Sequence, residues 1–116
     1  MRKFLALSGG SAICIVTGML SVGAATAADP ATIEVTLQND AFSPAEVKVA
    51  AGTAVVLKFI NKDAGAAEIE AKDLNIEKVV VGNSEIIVRV RPQKPGKYLF
   101  VNEYKEDVTK GYVVVE

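Results

Sequence analysis

The chain has 116 residues, with 13 Lys plus Arg against 14 Asp plus Glu and no histidine. A near-neutral charge without a basic excess excludes nucleic acid as an expected partner. Without imidazole, every Ser-His-Asp or Cys-His mechanism is excluded as well.

The first segment reads as an address. Met1-Arg2-Lys3 gives a basic start, Phe4 to Val22 is an uncharged apolar run, and Ala25-Thr26-Ala27 offers a small-residue cleavage site. This pattern predicts a secretory signal peptide over residues 1–27, removed after Ala27, and a single domain over 28–116. A retained membrane anchor is the alternative reading of the same run. Cys14 follows Ser-Ala-Ile, which departs from the Leu-x-Gly/Ala-Cys pattern of lipid-anchored proteins. The expected location is therefore periplasmic or secreted, with no stable membrane insertion after cleavage.

Loss of Arg2 and Lys3 leaves 11 basic against 14 acidic residues, a net charge of −3 that is compatible with cations. Cys14, Met1 and Met19 are the only sulfur residues of the chain, so residues 28–116 carry no thiol, thioether or imidazole. A domain of this size without disulfides depends on its apolar core. It also has no soft or borderline metal ligand.

Alternation of apolar and polar residues then recurs. Strands are expected at 32–37 (TIEVTL), 46–50 (EVKVA), 54–60 (AVVLKFI), 85–90 (EIIVRV), 97–101 (KYLFV) and 111–115 (GYVVV). Turn residues separate them: Ala51-Gly52, Asn61-Lys62-Asp63, Gly82-Asn83-Ser84 and Lys94-Pro95-Gly96-Lys97, the last with the residue order of a type II turn. Only AKDLNIEK, residues 71–78, leaves room for a short helical turn. Short strands with turns at this spacing predict an all-β sandwich or barrel. No glycine cluster forms a phosphate-binding loop, and neither Asp40 nor Asp63 opens an EF-hand.

Two stretches carry a family resemblance. NDAFSPAEVKVAAGTAVVLKFINKD, residues 39–63, resembles the first half of a cupredoxin, with its Phe-x-Pro, Val-x-Val strand and Ala-Gly turn. KPGKYLFVNEYKEDVTKGYVVVE, residues 94–116, is similar to the second half, where a Pro-Gly-x-Tyr strand leads into the metal loop. The resemblance implies a cupredoxin-like Greek-key β-sandwich of about seven to eight strands. Type 1 copper takes two histidines and a cysteine. Asn102 stands at the cysteine position and Lys105 at a histidine position, and the first histidine would fall near Ala66 to Glu68, which leaves no type 1 copper ligand set.

EIEAKDLNIEKVV, residues 68–80, and NEYKEDVTKG, residues 102–111, further resemble the cupredoxin-like periplasmic proteins that accompany FTR1-type iron permeases in bacteria. That likeness implies iron as the bound metal and such a permease, or an associated exported protein, as partner. It implies delivery of iron, or help in oxidising it with an electron acceptor supplied by another protein.

The residues themselves point to a carboxylate cluster. Glu68 and Glu70 are two apart, so on a strand they share one face, with Ala67 and Ile69 toward the core. In a cupredoxin the loop after 97–101 lies beside that segment, bringing Glu103 near, with Glu77 and Asp107 as further candidates at one end of the sandwich. Such hard oxygen ligands suit iron, manganese or calcium. Asn102, Tyr104 and Lys105 are candidates for supporting or closing the site. Lys105 carries the counter-reading, because an ammonium paired with Glu68 or Glu103 would neutralise the cluster without a metal. The resulting alternatives are a metal-free interaction module and a calcium-binding structural domain.

Overall fold

The computed structural model describes residues 29–116, so the expected leader 1–27 lies outside the described residues. Nine strands form: β1 (Ala31–Gln38), β2 (Ala41–Ser43), β3 (Glu46–Val49), β4 (Val55–Asn61), β5 (Ala67–Ala71), β6 (Ile76–Val80), β7 (Ser84–Val90), β8 (Gly96–Asn102) and β9 (Lys110–Val115). Two single 3-10 turns, Lys72–Leu74 and Glu103–Lys105, interrupt them. One sheet has the order β2-β1-β4-β7 and the other β3-β9-β8-β5-β6. Pairs β1–β4 and β3–β9 are parallel and the rest antiparallel. The chain crosses between sheets at every connection except β1–β2, β5–β6 and β8–β9. The result is the all-β sandwich that the alternation predicts.

The six runs read from alternation all become strands, each within one residue of its expected ends. Of the three remaining strands, β5 realises the strand considered for Glu68 and Glu70, and two were not anticipated. β2 arises because Asn39 and Asp40, both at positive φ (53° and 59°), close a two-residue hairpin onto β1. β6 replaces the helical turn allowed for residues 71–78, which shrinks to Lys72–Leu74 and ends at Asn75 in the left-handed region. Gly96 also departs from a type II turn: its φ of 157° lies far from the roughly +80° such a turn needs, and β8 begins at it. The Tyr98 hydroxyl instead secures this turn, donating to the Lys94 carbonyl at 2.7 Å.

The core lies between the sheets. Val35 and Leu37 of β1, Leu57 and Phe59 of β4, Ile69 of β5, Phe100 of β8 and Val113 of β9 are essentially sealed from water. Phe42, Phe59 and Phe100 meet edge to face, with ring centroids 4.9–6.1 Å apart. Such contacts favour one packing arrangement over its competitors. This cluster underlies the start of the Asn102–Thr109 segment, because Phe100 is two residues upstream of Asn102 on the same strand.

Candidate metal centre

β5 alternates strictly. Ala67, Ile69 and Ala71 are buried, which turns Glu68 and Glu70 to the outer face of the five-stranded sheet. The β5–β6 hairpin places Glu77 directly opposite Glu70, and Glu68 opposite Val79. On its other side β5 pairs with β8, with Ile69 facing Asn102. The chain leaves β8 at that point into the turn Glu103–Lys105, and Glu103 projects over the same outer face. Two strands and the turn that follows a third thus contribute to one acidic cluster. One carboxylate oxygen from each of Glu68, Glu77 and Glu103 lies within 4.8 Å of the other two.

The like charges leave a mark on protonation. Glu103 is pushed up from its ordinary 4.5 to about 7, first by hydrogen bonding with Glu70, then with Glu68, and further by loss of water and by charge repulsion. Glu77 is raised as well, mainly through hydrogen bonding with Glu68 and repulsion from it. Carboxylates this close exchange mutual repulsion for a shared proton or for a bound cation. Glu70 belongs to the same group electrostatically, with its carboxylate 3.5 Å from the Lys72 ammonium. Among the described residues, none of Glu68, Glu77 and Glu103 stands in an ion pair.

The geometry accommodates a single ion. A triangle with sides of at most 4.8 Å has a point no more than about 2.8 Å from each corner, close to the roughly 2.0–2.6 Å of cation–carboxylate bonds. Glu77 and Glu103 are exposed and free to close the remaining gap. The donor set is entirely hard oxygen, which fits iron, manganese or calcium and suits copper(I) poorly.

The other candidates are placed differently. Asp107 is exposed on the turn after Lys105 and lies outside the group of three. Tyr104 is 56% exposed and joins the site only through its backbone N–H, which donates to Asn102 Oδ1 at 3.2 Å. Asn102 is buried, and the same Oδ1 accepts the Glu68 N–H at 3.1 Å. It therefore ties the start of the Glu103 turn to the strand that carries Glu68. Lys105 corrects the expectation of a built-in cation: its ammonium lies 2.9 Å from both carboxylate oxygens of Asp40 and pairs with neither Glu68 nor Glu103.

Asp40 is the residue that sequence reasoning missed. Its backbone N–H, with that of Asn39, donates to the Asp63 carboxylate, and its carbonyl accepts the buried Thr109 hydroxyl at 2.6 Å. Asp63 in turn is held by Asn61, whose side-chain oxygen accepts the Asp63 N–H at 3.0 Å. The signal available was the Asn39-Asp40 pair, a recognisable two-residue hairpin turn. Its ion-pair partner lies 65 residues away, beyond the reach of local pattern.

The comparisons with known proteins agree with the fold. The family model for the cupredoxin-like domain matches residues 10–115, and the chain belongs to that family. An uncharacterized protein of Rickettsia prowazekii (strain Madrid E) is 31% identical over 83 residues, 72% of this chain and 66% of that protein, just under two thirds of its length. Among solved structures, the metal-binding domain of the Cu(I)-exporting P-type ATPase CopA of Streptococcus pneumoniae D39, determined with Cu(I), matches with a TM-score of 0.65 at 19% identity. That match covers 78% of this chain and 91% of the other. Auracyanin A, a "blue" copper protein of Chloroflexus aurantiacus, matches with a TM-score of 0.61 at 20% identity, covering 75% of this chain and 99% of its own. At these identities the two structures establish a shared fold.

Proposed function

We propose that this cupredoxin-like protein binds a hard cation, iron foremost, through Glu68, Glu77 and Glu103 with Glu70 beside them. In this reading it is an exported accessory of iron uptake that hands its metal to a membrane permease. The observation that carries the metal-binding half is the convergence of three carboxylate oxygens within 4.8 Å, with no cation paired to them among the described residues. A type 1 copper centre takes two histidines and a cysteine, and residues 28–116 contain no histidine, cysteine or methionine. Carboxylate ligation stabilises Fe³⁺ over Fe²⁺, so the same site would assist oxidation where another protein supplies the electron acceptor. The role in uptake rests on the resemblance of segments 68–80 and 102–111 to permease-associated proteins.

Anaerobic titration calorimetry with Fe²⁺, Mn²⁺, Cu²⁺ and Ca²⁺ tests the reading. Iron is expected to bind, and Glu68→Gln/Glu103→Gln is expected to weaken it by about a hundredfold, in line with the loss of two charged ligands. Calcium binding with no heat from iron would assign a structural role instead. The second reading is a metal-free interaction module, and the proton retained by Glu103 up to about pH 7 favours it, because that proton relieves the cluster without an ion. Absence of heat from every metal selects it.

A further inference from the structure

A β-sandwich has four sheet edges, and each is a template for unwanted pairing unless something blunts it. Three edges here are blunted. β2 is three residues long and runs directly into Pro44. β3 is four residues long and starts two residues after the same proline. β6 places the charged Lys78 opposite Ile69, at a core-side register position. β7 has none of these devices. It is seven residues long without proline, its core-side positions are Ile86, Val88 and Val90, and Ile87 stands 58% exposed on its outer face. A groove of about 360 Å³ borders it, between β6 and β7.

We infer that β7 is a self-association edge, pairing antiparallel with β7 of a second copy about a two-fold axis through Ile87. The strand is self-complementary in that register. Ile87 meets Ile87, and on the same outer face Glu85 of one copy lies opposite Arg89 of the other, twice by symmetry. On the core side Ile86 lies opposite Val88, an apolar match. Shifting the axis by one residue, onto Val88, would set Ile87 against Arg89 and leave Glu85 opposite Arg91, which lies beyond the end of the strand. The Lys58 ammonium, 3.4 Å from Glu85, remains available to that carboxylate in the pair. The two four-stranded sheets then join into one continuous sheet of eight. Pairing at this edge needs no bound metal, although Glu77 of the carboxylate cluster lines the bordering groove.

Sedimentation equilibrium of the purified protein over a wide concentration range tests it, with circular dichroism confirming the fold of each variant. The unaltered protein is expected to show a monomer–dimer equilibrium. Glu85→Lys and Arg89→Glu each set two like-charge pairs across the axis and are each expected to weaken association by about tenfold or more. Mixing the two variants makes both pairs opposite in sign and restores the dimer as a heterodimer. Ile87→Thr keeps a β-branched strand residue and is expected to weaken association without reversing a charge. A monomer at every concentration, a dimer indifferent to all three substitutions, or a mixture that fails to recover overturns the inference.

Discussion

The segment Asn102–Thr109 has two flanks, and they handle charge in opposite ways. On the flank toward the β1–β2 hairpin, Lys105 grips Asp40 through both carboxylate oxygens, while Thr109 holds the Asp40 carbonyl. Lys105 and Asp40 are paired there, and the Asp63 carboxylate accepts two backbone N–H groups. On the flank toward β5 and β6, Glu103 meets Glu68, Glu70 and Glu77, and among the described residues the only ion pair there is Lys72 with Glu70. One turn of chain thus spends its lysine on the hairpin and leaves its glutamate among like charges. A surface under selection for stability alone would not need both arrangements. The uncompensated flank is where a ligand contributes most, because a cation there removes repulsion as well as forming bonds.

Asn102 joins the two flanks, and replacing it is the largest way to break the contrast. Its Oδ1 accepts the backbone N–H groups of Glu68 and Tyr104. Asn102→Ala leaves both donors without that acceptor and is expected to cost about 2–3 kcal/mol in chemical denaturation. Asn102→Asp keeps an acceptor at nearly the same place and should recover most of that loss at low pH. Equal destabilisation by both substitutions would mean that packing around residue 102, rather than the two hydrogen bonds, holds the segment.

The acidic flank predicts a pH dependence with a definite sign. Glu103 titrates near 7 in the folded protein against an ordinary 4.5, so the folded state holds a proton that the unfolded chain has lost. The resulting stabilisation is complete below about pH 4.5 and is lost as pH rises through about 7. Metal-free protein should therefore melt at progressively lower temperature across that window. Glu103→Gln, neutral at every pH, should flatten the slope and melt higher than the parent at pH 8. Metal works in the opposite direction: Glu103 must give up its proton to ligate, so affinity should rise with pH through about 7. A melting temperature independent of pH in the parent, or one that rises toward pH 8, would refute the shared proton.

The sequence made the two flanks legible to different degrees. Strands facing the core on one side announced themselves by alternation, and from β5 alone it followed that Glu68 and Glu70 share a face. β6 hid because an edge strand is wetted on both faces: Glu77, Lys78 and Val79 are all exposed, which erases the period of two. Its partner Glu77 was nonetheless a candidate from resemblance. Asp107 was a candidate on the same ground, and it stands outside the group of three. The Lys105–Asp40 pair was invisible because its position depends on the β1–β2 hairpin and the end of β8 coming together in space. A lysine beside glutamates in sequence gives no indication of which acid it will choose.

That choice yields the smallest prediction and the sharpest one for the contrast. The Lys105 and Asp40 side chains are 53% and 41% exposed, so water and salt screen their attraction. Lys105→Met is expected to change stability by less than about 1 kcal/mol, as for other exposed pairs. Because the ammonium is committed to Asp40, its removal should also leave metal affinity at the carboxylate cluster within about twofold of the parent, a residual set by screened charge at a distance. Lys105→His should behave alike, adding no ligand to Glu68, Glu77 and Glu103. A marked gain in metal affinity from either substitution would show that the lysine neutralises the glutamates after all, and the two flanks would then be a single charge network.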